Sequence, residues 1–288
     1  MKGRLSRIRR LYFVLCTLYF VLFISCHKEA PVPAYIHIPA FTLTTNPGTE
    51  GSNSQKIVDA WIDVDGQSIG AFEMPCTVPA LFSGDHTVTI FPGIKENGIS
   101  ESRVQYQFYT TYTVTATFTP GSIVNIHPST KYTSYADFAF IEDFEGAVTG
   151  FCDSTASDTS MQIITAPDLE MPGEGQCGGV VLAGSKNSYY GSTCTRYTLT
   201  DTPPIFLEMN YNCNTQFNVG VVAYDASGNY IGQEIALTLR STTGWNKVYV
   251  NLSNVVIGFS AAKYTIFFSM LKNGGTSYFY LDNVKLIY

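Results

Sequence analysis

Histidine is scarce and unevenly placed: His27, His37, His86 and His127 are the only four, and none follows residue 127. The second half of the chain therefore holds no Ser-His-Asp relay and no histidine-ligated zinc site. No two cysteines stand in a CxxC pattern, so zinc-ribbon and dithiol redox signatures are missing too. Charged residues make up only 14% of the chain, and basic clusters are absent beyond its first residues. Nucleic acid, which demands such clusters, is excluded as a partner. Long apolar runs are also lacking. The longest, from Leu11 to Ile24, falls short of the roughly 20 residues a membrane-crossing helix needs. No stretch beyond it carries a helical apolar period.

What is present begins at that short run. Lys2, Arg4, Arg7, Arg9 and Arg10 precede it, and no acidic residue occurs before Glu29. A basic stretch, a short apolar core and a small residue, Ser25, read as a secretory signal. Phe23-Ile24-Ser25-Cys26 resembles the lipobox of bacterial lipoproteins, with Phe23 where that pattern usually has Leu. The resemblance implies cleavage before Cys26 and acylation of its thiol and new amine, and several acyl chains make a stable membrane anchor. Residues 1–25 are then the signal peptide and 26–34 a Pro-containing tether. Cleavage removes five of the 17 basic residues and none of the 23 acidic ones, taking the formal charge from −6 to −11. His27 follows the cysteine in place of the Asp that tends to hold lipoproteins at the inner membrane. The expected address is the outer membrane, on its periplasmic or outer face.

Aromatic residues are as frequent as charged ones, at 14%, while Ser, Thr, Asn and Gly carry the polarity. That mixture suits β-sandwiches, and the length after the signal suits two domains. Runs of period two recur. "YTVTATF" sets Tyr112, Val114, Ala116 and Phe118 inward and three threonines outward. "VQYQFYT", "HTVTIF" and "AWIDVDG" alternate in the same way, and Asp65-Gly66 is a hairpin signal. The fold class is all-β, with the Pro/Ser/Thr-rich stretch around Thr130 separating residues 35–129 from 130–288.

Two resemblances refine this. Val64-Asp65-Gly66, Ile69-Gly70, Pro75 to Pro79, Gly84, His86, Val88 and Ile90 together resemble a PEGA-type surface module. That implies a small β-sandwich and no reaction, with His86 as a hydrogen-bonding turn residue. In the second half, "IEDFEG" (141–146), the "GW" to "LS" segment (244–253) and "YLDNVKL" (280–286) resemble galactose-binding-like jelly rolls of carbohydrate-binding modules.

Several constellations could carry chemistry. Glu142, Asp143 and Glu145 open the first strand of this jelly roll and Asp282 lies in its last. Terminal strands lie side by side in such folds, so a structural calcium held by these oxygens is one expectation. The other is carboxylates that cap turns. The spacing of Glu142, Asp143 and Glu145 does not match the Glu-x-Asp-x-x-Glu strand of jelly-roll glycosidases, and no catalytic residue is assigned. Sugar rings stack on accessible aromatics beside a few amide groups, which singles out Asn187, Tyr189, Tyr190, Asn229 and Tyr230. Adjacent Tyr189 and Tyr190 must face opposite ways on a strand. Trp61 and Trp245 read as core residues. Cys152, Cys177, Cys194 and Cys213 can pair in three ways or remain buried thiols. The expected function is a non-catalytic, lipid-anchored glycan-binding protein. The alternatives are a scaffold that contacts another envelope protein without a small ligand, and a glycoside hydrolase.

Overall fold

A computed structural model describes residues 12–15, 19, 30–165, 175–199 and 202–288. Cys26 and most of the signal segment lie outside the described residues. No described helix is long and apolar enough to cross a membrane.

The first half forms ten strands: β1 (Ala34–Ile38), β2 (Thr42–Thr44), β3 (Asp59–Val64), β4 (Gln67–Glu73), β5 (Cys76–Ala80), β6 (Gly84–Lys95), β7 (Arg103–Gln105), β8 (Tyr112–Phe118), β9 (Ile123–Asn125) and β10 (Ser129–Lys131). One sheet runs β4-β3-β6-β7, with β8 also pairing β6. A second runs β5-β1-β9, and β10 pairs β2. Ile36, Ile62, Val64, Val88, Ile90 and Phe118 fill the space between them. The Asp65-Gly66 hairpin has positive φ at both residues, 50° and 77°, the geometry of a type I′ turn. His86 behaves as a turn residue, its Nδ1 2.6 Å from Asp65 Oδ2 and its Nε2 3.2 Å from the Ser83 carbonyl. Trp61 is not a core residue: it is half-buried on the outer side of β3, between inward-facing Ala60 and Ile62.

The second half adds β11 (Phe138–Glu142), β12 (Phe151–Asp153), β13 (Gln162–Thr165), β14 (Gln176–Leu182), β15 (Ser188–Thr193), β16 (Phe206–Cys213), β17 (Phe217–Tyr224), β18 (Tyr230–Leu239), β19 (Asn246–Asn251), β20 (Lys263–Leu271) and β21 (Ser277–Ile287). They make two stacked sheets. A six-stranded sheet runs β13-β14-β21-β16-β19 with β11 also on β21, and a five-stranded sheet runs β12-β15-β20-β17-β18. Phe217, Phe268 and Phe279 pack between them, with Phe217 and Phe279 stacked at 4.6 Å. Cys152 and Cys194 form a disulfide, whereas Cys177 and Cys213 are buried thiols. Burial raises Cys177 to about 12 and Cys213 to about 11. Short helices occur at Pro47–Glu50 and Ser253–Phe259.

The outer face of the six-stranded sheet is not solvated. Every residue of β16 is buried, including outward-pointing Phe206, Glu208 and Asn210. The first unit covers it: Phe206, Tyr249 and Ile287 belong to that unit's hydrophobic core. Tyr106 packs edge-on against Phe206 at 5.2 Å and lies 5.0 Å from the Tyr249 ring. At the centre sits the fully buried carboxylate of Glu208. It accepts from the Tyr106 hydroxyl at 2.8 Å and from Tyr132 at 3.1 Å, and it pairs with Lys247 at 3.1 Å. Lys285 donates to the Ser52 carbonyl at 2.6 Å, and Ser54 donates to Asn210 at 2.9 Å. A buried charge is tolerated only when it is so supplied. The first unit's core thus takes its far wall from the second unit, around a polar centre, while the core between the second unit's own sheets is a separate cluster.

Candidate functional site

The five-stranded sheet leaves its outer face uncovered by the first unit. Register fixes what that face displays. Tyr190 on β15 pairs with Ser269 on β20, which pairs with Asn218 on β17, which pairs with Thr238 on β18. One row further along stand Ser192, Phe267, Gly220 and Ile235. Beyond them lie Thr265, Val222 and Gln233, then Lys263, Tyr224 and Tyr230.

At the middle of the face two aromatic rings are stacked. Phe267 lies flat over Gly220, where a Cβ would come within 2.4 Å of the Phe267 ring and 2.2 Å of the Glu234 carbonyl. Only glycine lets the ring down onto the sheet. Tyr190 then covers Phe267 at 5.2 Å with the planes 18° apart. Phe267 is thereby buried, while Tyr190 stays half-buried with part of its ring accessible. The Tyr190 hydroxyl donates to Gln233 Oε1 at 2.9 Å. Among the described residues the Gln233 amide N–H groups have no partner, so they remain available. Burial pushes the Tyr190 hydroxyl up to about 12, with smaller contributions from neighbouring Tyr224 and Tyr230. The bond to Gln233, two rows beyond its own, shows that the Tyr190 side chain leans along the sheet toward the β17–β18 turn.

Around this platform, apolar and polar groups alternate. Tyr230 is 62% exposed and Ile235 51%. Thr238 donates to Asn218 at 2.7 Å, and Asn218 donates to Ser269 at 3.2 Å. The Arg196 guanidinium sits 3.8 Å above the Tyr224 ring and donates to the Gly228 carbonyl at 2.8 Å. That contact pins the β17–β18 turn from which Tyr230 emerges. Asp225 holds the same turn from within, accepting from Asn229 N at 2.8 Å and Asn229 Nδ2 at 2.9 Å. Those bonds keep the Asp225 carboxyl below the usual range. The result is a fixed aromatic surface edged by amides and hydroxyls, the chemistry that receives CH faces and hydroxyl groups of a sugar.

The five residues singled out in the sequence do not form one group. Tyr190 and Tyr230 share the face. Tyr189 is 2% exposed and points into the core against Phe279, so it contacts no external ligand. Asn229 serves the turn. Asn187 lies beyond the other end of β15, where its N–H donates to Asp158 and its carbonyl accepts from Lys272 N. Lys272 and Lys263 are nine residues apart along β20 and its end, about 30 Å of extended chain, which separates Asn187 from Tyr230. Phe267, Gly220, Gln233, Tyr224 and Asn218 complete the face and were missed. One signal for them was legible: in "YTIFFSML" the register that buries Phe268 must turn Phe267 outward.

The carboxylates expected to hold calcium are dispersed. Glu142 accepts from Phe144 N at 2.9 Å and from Gly150 N at 2.5 Å. Asp143 accepts from Glu145 N, and Glu145 accepts from Gly175 N and Gln176 N. Asp282 is buried and accepts from Asn283 N at 2.7 Å. β11 and β21 do lie side by side, but Glu142 stands opposite Val284. Among the described residues no group of three or more His, Cys, Asp or Glu side chains could hold a metal ion. Glu142, Asp143 and Glu145 thus accept from backbone N–H groups, and Asp282 lies within β21.

No protein-family model matches the chain, and no curated protein matches it. Among solved structures, a family 11 carbohydrate-binding module of a cellulosomal cellulase of Clostridium thermocellum is 13% identical. It aligns over 52% of this chain and 93% of its own, with a TM-score of 0.37. A carbohydrate-binding module from the β-sandwich superfamily, also 13% identical, aligns over 79% of this chain and 84% of its own with a TM-score of 0.38. The K3 cleaved adhesin domain of Lys-gingipain from Porphyromonas gingivalis is 19% identical over 53% of this chain and 98% of its own, with a TM-score of 0.33. The all-β class of the chain rests on its own strands and sheets.

Proposed function

We propose that this protein is a non-catalytic glycan-binding protein of the bacterial cell envelope, held to the outer membrane by acyl chains on Cys26. The observation that carries the binding reading is the Tyr190–Phe267 stack on an uncovered sheet face, with Tyr224, Tyr230 and the free Gln233 amide around it. A long, open face suits a chain of sugars laid across the strands more than a single buried sugar. The first unit, locked to the opposite sheet, holds this face at a fixed distance from the tether. The anchor is inferred from the sequence around Cys26.

A glycan-array screen of the full-length protein tests the reading. Binding to a subset of polysaccharides, lost in Tyr190→Ala, is the expected result. Silence across diverse glycans would overturn it in favour of a scaffold. The address is tested separately by Cys26→Ser, which should release the protein from the membrane fraction.

A further inference from the structure

The seam between the two units opens on one side into a pocket of about 420 Å³. Four cations line it: Lys56 and Lys95 from the first unit, Arg240 and Lys247 from the second. A recess of about 240 Å³ adjoins it, sharing Lys56, Asn246 and Lys247 and adding half-buried Trp245 at its far end. The larger volume falls within the roughly 300–1,000 Å³ usual for small-molecule sites. No described lining residue of either recess is an Asp or Glu.

The balance of charge matters more than the number of cations. Lys95 pairs with solvent-exposed Glu73 at 3.2 Å and Lys247 with buried Glu208 at 3.1 Å. Among the described residues Lys56 and Arg240 have no carboxylate partner; Lys56 donates to the Asn246 side-chain oxygen instead. The pocket is therefore positive in a chain whose formal charge is −6. Lys247 is already engaged: its side chain is only 4% exposed and its ammonium is paired with Glu208, so Lys56 and Arg240 are the cations left to the pocket. The lowered Lys56 pKa, caused by burial and then by Lys95, agrees with a site already crowded with positive charge.

We infer that this interdomain pocket binds a sugar-sized organic anion, its carboxylate or phosphate received by Lys56 and Arg240 and its body set toward Trp245. Asn246 and the Tyr211 hydroxyl, bonded to each other at 3.0 Å, are neutral polar groups in the same walls. The pocket lies around the edge of β18 from the Tyr190 platform and shares only Thr238 with that face. The inference stands without the glycan reading, because its residues and its ligand charge are different. It also gives the fused seam a use: neither unit alone carries all the cations.

The test is calorimetric titration of the full-length protein with glucuronate, glucose 6-phosphate and glucose, at ionic strength matched with sodium chloride. Saturable binding of one or both anions, with none of glucose, is expected; the tighter of the two identifies the oxyanion preferred. Lys56→Gln combined with Arg240→Gln should weaken that binding about tenfold or more, and Arg240→Lys should keep most of it, since charge is retained. Both side chains are exposed at the rim, so circular dichroism should show the variants folded. Failure of both anions to bind, equal binding of glucose, or undiminished binding by the double variant would overturn the inference.

Discussion

Replacing Tyr106 with Phe removes one hydroxyl from the buried seam and leaves everything else in place. That hydroxyl donates to Glu208, whose carboxylate is fully buried, has one further hydrogen-bond donor in Tyr132 and is ion-paired with Lys247. A hydrogen bond to a charged group contributes roughly 1.5–3 kcal/mol, and little water can reach this site to replace it. For a cooperative unit of this size each 1 kcal/mol lowers the melting temperature by about 2–4 °C, so a fall of roughly 3–12 °C is expected. Urea unfolding can be followed in each unit separately, because Trp61 lies in the first and Trp245 in the second. With each Trp in turn replaced by Phe, both probes should report the same midpoint and move together in Tyr106→Phe. Tyr135→Phe is the control. Its exposed hydroxyl donates to the Gln107 carbonyl, and its loss should cost less than about 0.5 kcal/mol. A loss below 0.5 kcal/mol in Tyr106→Phe, or separate transitions for the two tryptophans, would refute the shared seam.

Other outcomes follow from the same structure. The His86 pKa is raised above 6.5 by its hydrogen bond to Asp65, whose own pKa is lowered below 3.8. Their mutual support of the hairpin is present in full between those two ordinary values. It is lost as pH rises through the folded His86 pKa, and again as pH falls through that of Asp65. An NMR titration should place the His86 midpoint above 6.5 and return it toward 6.5 in Asp65→Asn; an unmoved midpoint would deny the pairing. The Cys152–Cys194 bridge closes a loop with a sequence separation of 42. Its removal by paired Ala substitutions should cost roughly 3–4 kcal/mol in urea unfolding. Chelator should leave the melting temperature unchanged, since Glu142, Asp143 and Glu145 are occupied by backbone N–H groups; a clear fall would reinstate a bound cation.

Much of the strand pattern was legible because alternation encodes which side of a strand meets apolar neighbours. Tyr112, Val114, Ala116 and Phe118 read correctly as the inward set, and Asp65-Gly66 as a hairpin. The seam was not legible. In "PIFLEMNY" the series Phe206, Glu208, Asn210 looks like a solvated face opposite Ile205, Leu207 and Met209, yet both sides are buried. Nothing local distinguishes a Glu facing water from one facing two tyrosines and a lysine that lie far away in the chain. Trp245 misled for a related reason: it precedes the buried alternation of β19 and stands at the lip of a recess formed by both units. On the candidate site, adjacency correctly divided Tyr189 from Tyr190 between the two faces without saying which went where. Asn187 and Asn229 were grouped with them because loops were treated as neighbours. The strands between place them at opposite ends of the sheet.

The central claim is that the Tyr190–Phe267 platform is where a glycan is received. The most direct measurement is the dissociation constant of the strongest array ligand for the native protein and for Tyr190→Ala, by calorimetry. Loss of the ring should weaken binding about tenfold or more, roughly 1.4 kcal/mol, with the melting transition still cooperative. A constant within about twofold of the native value, in a variant that remains folded, would contradict it.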